Sequence, residues 1–229
     1  MTYKNIKRAT FIERPNRFIA YAKLGNAIVK CHVKNTGRCK ELLVPGVEVF
    51  LEDHGDREDR KTRYSLVKVI KNGRIINMDS QAPNEIAYEW LMSGGLYPDI
   101  TLLKKEQKFG NSRFDIYYER ECGIKGFSEV KGVTLEEENV ARFPDAPTKR
   151  GVKHIYELME ACKAGYEANI LFVIQMKDID HFEPNYVTHK EFGEALKQAK
   201  ENGVNIYAID CHVTETEVWA KSFVPIDLK

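Results

Sequence analysis

Two carboxylates and an amine are spaced in this chain so that they meet. Arg113-Phe114-Asp115-Ile116-Tyr117-Tyr118-Glu119 and Lys125-Gly126-Phe127-Ser128-Glu129-Val130-Lys131 both alternate as strands do, and Glu121-Cys122-Gly123 supplies a Gly-containing turn between them. An antiparallel hairpin centred on Cys122 sets Asp115 opposite Glu129 on one face, with Lys131 beside them. Facing anions repel each other and destabilise a strand pair unless a cation lies between them. Carboxylate oxygens suit Mg²⁺ or Mn²⁺, and Mg²⁺ is commonly held by one or two carboxylates while water and substrate phosphate complete its octahedron. A lysine beside that ion would orient or deprotonate an attacking water, or neutralise charge growing on phosphorus. The same residues also fit a surface hairpin whose Glu129 and Lys131 form an exposed ion pair of small energetic weight.

The flanking elements decide what else reaches this patch. Pro83-Asn84-Glu85-Ile86-Ala87-Tyr88-Glu89-Trp90-Leu91 begins like a helix, with Asn84 as its cap and Ile86, Ala87, Trp90 and Leu91 spread over one arc. Glu89 borders that buried arc and is the expected third acid, whereas Glu85 lies further round towards solvent. Downstream, a helix with Val152, Ile155, Leu158, Met159 and Cys162 on its apolar side carries Lys149, Arg150, Lys153 and His154 in its first turns. Cations there oppose the helix dipole, so they make better sense with a phosphate docked on the helix N-terminus. A solvated basic turn is the other reading.

At this point the sequence resembles the sugar fermentation stimulation protein A family nearly end to end. The resemblance rests on Asn-Thr-Gly-Arg at 35–38, the Ser112-Arg113-Phe114-Asp115 strand, Glu129-Val130-Lys131-Gly132-Val133-Thr134-Leu135, Phe143-Pro144-Asp145-Ala146, Thr148, Arg150-Gly151 and His154. It implies a small N-terminal OB-like barrel joined to a restriction-endonuclease-like domain of the PD-(D/E)xK superfamily. It also implies DNA binding and a role in regulating sugar-metabolism genes. Asp115, Glu129 and Lys131 match that superfamily's acid and E-x-K positions, and Glu89 matches its helix acid. Phe114 stands where the superfamily's name has proline, a position that carries no chemistry. Members of the superfamily can keep the fold and lose catalysis.

The first part of the chain has its own signature. Residues 1–40 hold ten Lys and Arg against one acid, Glu13, a balance of +9; the remaining 25 Lys and Arg against 33 acids leave −8. Such polarity is the footprint of a polyanion-binding module attached to a more acidic partner, or else of a basic face that serves solubility or docks on the acidic half. Arg17 to Lys23 and Ala27 to Val33 flank Gly25-Asn26, a two-residue hairpin signal. Gly46 to Glu52 and the hairpin Tyr64 to Met78 around Asn72-Gly73 bring the count to five short strands, enough for a small closed barrel. Arg17, Phe18 and Tyr21, with Arg38 from the Gly-containing loop, are the residues expected to grip nucleic acid there, although the aromatics equally suit a core.

From Asp79-Ser80-Gln81-Ala82-Pro83 the pattern changes to helices alternating with strands, which sets domains of 1–82 and 83–229. Ile170 to Ile174 is a continuous apolar run, expected as a strand buried on both faces, and Thr188-His189-Lys190-Glu191 is a capping box for a helix that ends at Gly203. The fold class is therefore α/β in two domains. No apolar run approaches membrane-spanning length, the first residues lack the apolar core of a signal peptide, and five cysteines without a C-x-x-C spacing suit a reducing compartment, so a cytoplasmic location is expected. Cys31, His32 and Cys39 lack a fourth ligand for zinc.

Three functions remain in view. The first is a DNA-binding protein with an Mg²⁺- or Mn²⁺-dependent nuclease site, in which Asp115 and Glu129 hold the metal, Lys131 activates water, Glu89 completes the outer coordination, and Lys149, Arg150 and His154 contact phosphate. The second is a non-catalytic DNA-binding regulator with a vestigial nuclease fold. The third is an enzyme acting on a small phosphorylated metabolite. The expected partner is DNA, single- or double-stranded, and a homodimer is compatible with the sequence.

Overall fold

The computed structural model describes residues 1–35 and 37–229, so Thr36 of the 35–38 loop lies outside the described residues. Its first half is a barrel of β1 (Ile6–Asn16), β2 (Ile19–Leu24), β3 (Ala27–Val33), β4 (Glu48–Asp53) and β5 (Tyr64–Lys71). The strands run in the order β3-β2-β1-β4-β5, and a parallel pairing of β3 with β5, from Cys31↔Tyr64 to Val33↔Leu66, closes the cylinder. Small or β-branched inward residues such as Ala20, Ala22, Val33 and Val49 sit beside the larger Phe11, Leu51 and Leu66, which together fill the interior of five strands.

The strand inventory differs from the sequence expectation. The barrel's fifth member is β1, while β6 (Arg74–Asn77) pairs only with β5, outside the closure. Two register shifts against β2, between Phe11 and Glu13 and between Glu13 and Asn16, break the alternation of β1, and Pro15 weakens its strand signal further. The β5–β6 turn is as expected: Asn72 and Gly73 both have positive φ, 51° and 76°, as a type I′ hairpin requires.

The second half is built on α1 (Ala82–Met92), β7 (Ile100–Phe109), β8 (Ser112–Arg120), β9 (Lys125–Val133), β10 (Leu135–Glu137), β11 (Val140–Phe143), α2 (Lys149–Lys163), β12 (Glu167–Ile174), β13 (His181–Pro184), α3 (Tyr186–Glu201), β14 (Asn205–Val213) and β15 (Val218–Phe223). The main sheet has the order β15-β14-β12-β9-β8-β7, with β9, β12 and β14 parallel and the outer pairs antiparallel. Both faces are covered, which is why Ile170–Ile174 at the centre is apolar throughout. Ile86, Ala87 and Leu91 of α1 pack on Ile116, Val130, Leu171 and Ile209. Val152, Ile155 and Leu158 of α2, with Phe192 and Leu196 of α3, pack on Phe127, Ile170 and Phe172. Asn185 rather than Thr188 caps α3, accepting from the Thr188 N–H at 3.1 Å, and a break at His189 (φ −156°, ψ 85°) precedes the long run to Glu201.

The halves are joined by more than the chain. Lys68, buried on β5, donates to the carbonyls of Thr214, Glu215 and Glu217 at 2.8, 2.9 and 3.2 Å. Burial pushes its amine down to about 8, against the opposing pull of Glu217 and Glu215. Among the described residues, no helix is long and apolar enough to cross a membrane.

Candidate metal and phosphodiester site

The hairpin that carries the acids has the expected register, with Glu119↔Lys125, Tyr118↔Gly126, Tyr117↔Phe127 and Ile116↔Ser128. The ladder stops one step short of Asp115 and Glu129. There Asp115 Oδ2 accepts the Val130 N–H at 2.8 Å, so a side chain takes a donor that the neighbouring backbone would otherwise use. On the other side, the pairing with β7 also skips Asp115, and Glu106 of β7 adopts φ 54°. Asp115 therefore sits where the sheet opens locally, beside Glu129 rather than paired across from it.

The two carboxylates feel each other. Burial and then the Glu129 charge raise the Asp115 pKa, against the Val130 N–H, Lys131 and the Asn84 amide, which donates to Oδ1 at 3.0 Å. Glu129 is only 2% exposed. Burial pushes its pKa up, but the hydrogen bond from His154 and the nearby Lys131 charge outweigh that and hold it below the usual range. Its Oε1 takes both the Lys131 amine, at 2.5 Å, and His154 Nδ1. Its Oε2 is buried and, among the described residues, has no hydrogen-bond partner.

A buried carboxylate oxygen without a donor is costly, by about 1–3 kcal/mol or more for a charged group. A hard dication is what its chemistry asks for. Among the described residues, no three His, Cys, Asp or Glu side chains form a ready cage. Two carboxylates nevertheless fit an ion that keeps most of its shell as water and substrate. Asp115 also opens onto a cleft of about 580 Å³ walled by Lys34, Asn84, Glu85, Lys105 and Glu106.

The structure redistributes several expected roles. Glu89 is not at the acids: it is exposed, ion-pairs with the Met1 amino group at 2.8 Å, and lines a groove with Trp90 and Trp219. Both Asn84 and Glu89 border the apolar stripe of α1, on opposite edges, and the site lies on the Asn84 edge. Asn84 is not the cap; α1 begins at Ala82 after Gln81, with no side-chain capping bond. His154, 6% exposed, faces Glu129 and not solvent. The Arg150 Nε–H lies 3.4 Å from His154 Nε2, which leaves the ring proton on Nδ1, towards Glu129. Lys149 and Arg150 stay exposed on the first turn of α2, behind a Thr148 cap that accepts from the Gly151 N–H at 3.0 Å.

On the barrel, Arg17 and Arg38 rim a groove of about 510 Å³ with Lys40, floored by Phe11, Leu43 and Pro45. Arg14, counted in the sequence only as charge, holds that rim together. Its guanidinium donates to the carbonyls of Arg17, Asn35, Gly37 and Arg38 at 2.7, 2.6, 2.9 and 3.0 Å.

A closed five-stranded barrel with this strand order, followed by an α/β domain with an acid, a Glu-x-Lys strand and a helix over the same sheet, defines an OB barrel joined to a restriction-endonuclease-like domain. The chain belongs to the SfsA family: residues 12–78 match the SfsA N-terminal OB domain and residues 81–217 the sugar fermentation stimulation protein RE domain. It is 54% identical over 228 residues to the sugar fermentation stimulation protein homolog of Clostridium beijerinckii, covering 100% of each chain. It is 58% identical over 215 residues to that of Ruminiclostridium cellulolyticum, covering 94% of each. The solved structure of Pyrococcus furiosus SfsA, in complex with Ca²⁺, superposes with a TM-score of 0.88 at 27% identity, covering 99% of this chain and 98% of that one.

Proposed function

We propose that this protein binds DNA through its barrel and hydrolyses phosphodiester bonds with Mg²⁺ or Mn²⁺ held by Asp115 and Glu129. The observation that carries the reading is the unpartnered Oε2 of Glu129 beside the raised carboxyl of Asp115. When bound, the ion lowers the pKa of a water and draws charge from the phosphorus. Lys131 positions that water or neutralises the growing charge. His154, backed by Arg150, holds Oε1 of Glu129 and so leaves Oε2 for the ion. Lys149 and Arg150 at the start of α2, and Arg17 and Arg38 on the barrel, meet backbone phosphates. A hard, oxygen-seeking cation in the Pyrococcus furiosus relative supports the same donor preference here. Control of sugar-metabolism genes in the cytoplasm would act through this DNA contact.

One observation favours the rival, a DNA-binding regulator without catalysis: the Lys131 amine is closed onto Glu129, as in a spent site held by an ion pair. Incubation with plasmid, single-stranded DNA and RNA in Mg²⁺ or Mn²⁺ separates the two. Metal-dependent cleavage that disappears in Lys131→Ala supports the nuclease. Salt-sensitive DNA binding with no cleavage of any of the three leaves the regulator.

A further inference from the structure

Three cavities neighbour one another, each sharing a wall residue with the next. The basic groove on the barrel and a polar cleft of about 280 Å³ between the domains share Gly37 as a wall. That cleft in turn shares Ser80 with the larger one onto which Asp115 opens. The chemistry changes along the line. At the barrel end, Arg17, Arg38 and Lys40 surround an apolar floor, as suits a phosphate backbone with one base laid flat. In the middle, the walls carry Asp145, Gln175, Thr134 and Arg142 beside Phe143, which is itself braced on Phe172 and Phe192; the Arg142 guanidinium is already paired with Glu137 and Glu183, which leaves Asp145, among the described residues, as the unpaired charge of the cleft. A carboxylate in the wall repels phosphate but accepts from base amino groups, so this segment suits a base edge, with an aromatic ring alongside for stacking. At the far end the line reaches Asp115.

We infer that the polynucleotide reaches the acids as a single strand, threaded from the barrel groove through the inter-domain cleft past Gly37 and Ser80. A cavity of about 280 Å³ takes a mononucleotide unit and not a base pair. The cleft also cannot be widened by parting the domains without pulling Lys68 from its three carbonyls. Only the destination of the path rests on the nuclease reading; the path itself is a matter of binding. It narrows the substrate to single strands or unpaired ends and makes the middle cleft the place where sequence preference arises.

The test is binding in Ca²⁺ of fluorescent oligothymidine, oligouridine and a blunt duplex of equal length, to the wild type and to Ser80→Trp, whose indole fills the passage. The expected result is single-strand affinity about tenfold or more above that of the duplex, the size of one stacked base. Ser80→Trp should lose most of that advantage and keep its duplex affinity. A second, mutation-independent measurement is photocrosslinking of a thiothymidine oligonucleotide to the wild type, expected between residues 132 and 145. Equal or tighter duplex binding, or crosslinks confined to the barrel, overturns the path. So does unchanged single-strand binding by a folded Ser80→Trp. Metal-dependent cleavage of blunt duplex with no preference for single strands overturns the path while the nuclease stands. Strand-selective, tryptophan-sensitive binding without any cleavage sustains the path while the nuclease falls.

Discussion

Successive residues of β9, Ser128 and Glu129, face opposite sides of the sheet and belong to two buried polar clusters built on opposite rules. Around Ser128 every polar valence of Asn169 is filled: its amide donates to Tyr118 Oη at 2.7 Å and Ser128 Oγ at 3.1 Å, and its carbonyl accepts from Tyr97 and Asn205 at 3.3 and 3.0 Å. Around Glu129, one oxygen is crowded by two donors and the other has none. The first cluster is closed and serves the fold. The second is open, with the acceptor that the proposed ion would fill. Burial alone therefore does not separate structure from function on this sheet; the balance of donors and acceptors does.

The largest expected effect breaks the open cluster chemically. Lys131→Ala should reduce metal-dependent cleavage by about 10²–10³-fold, the usual weight of one group aimed at transition-state charge, and should also lower the melting temperature, because the buried Glu129 loses one of its two donors. Next, Asn169→Leu strands several hydroxyls and amides at once and should cost about 3 kcal/mol in urea denaturation while leaving Mn²⁺ affinity unaltered. Wild-type stability in Asn169→Leu, or a loss of metal binding, would erase the distinction between the clusters. His154→Leu should weaken Mn²⁺ binding by about 10–100-fold, as loss of an outer-shell partner does, and His154→Asn, which keeps a donor, should recover part of it.

A smaller effect sharpens the contrast through pH. Because the Asp115 pKa is raised in the folded protein, the metal-free native state holds a proton that the unfolded chain has already released, so stability falls as pH rises from the ordinary Asp value through the folded one. Asp115→Asn should therefore stabilise the metal-free protein above that interval and not below it. Glu129, held low, acts with the opposite sign, and its contribution is lost as pH falls through its folded pKa. Mn²⁺ should raise the wild-type melting temperature and leave that of Asp115→Asn where it was. Least of all, Arg17→Ala should lower the slope of log affinity against log salt by about one, with no change in metal binding.

What could be read from the sequence follows from how local each signal was. The β8–β9 register was legible because a short turn fixes it, and with it the proximity of Asp115, Glu129 and Lys131. That the ladder ends before the acids was not, since it depends on Asp115 reaching the Val130 N–H. Glu89 was misplaced for a geometric reason: an amphipathic stripe has two edges, and one sequence does not say which edge meets the acids. Asn84, assigned to capping, was the residue on the correct edge. His154 was expected at phosphate because its neighbours Lys149, Arg150 and Lys153 are basic, yet its helical phase lies close to that of Gly151, Leu158 and Ala161, which turns it inward. β1 was lost to its own register shifts.

The ammonium of Lys68 also bears on how this protein can be taken apart. Severing the chain at its domain boundary would leave three backbone oxygens near the β14–β15 turn without their donor and a fully charged ammonium facing water with nothing to hold. Neither half is a portable module: grafted alone onto another protein, each would carry an unhealed surface, and in the intact chain both should melt as one cooperative unit.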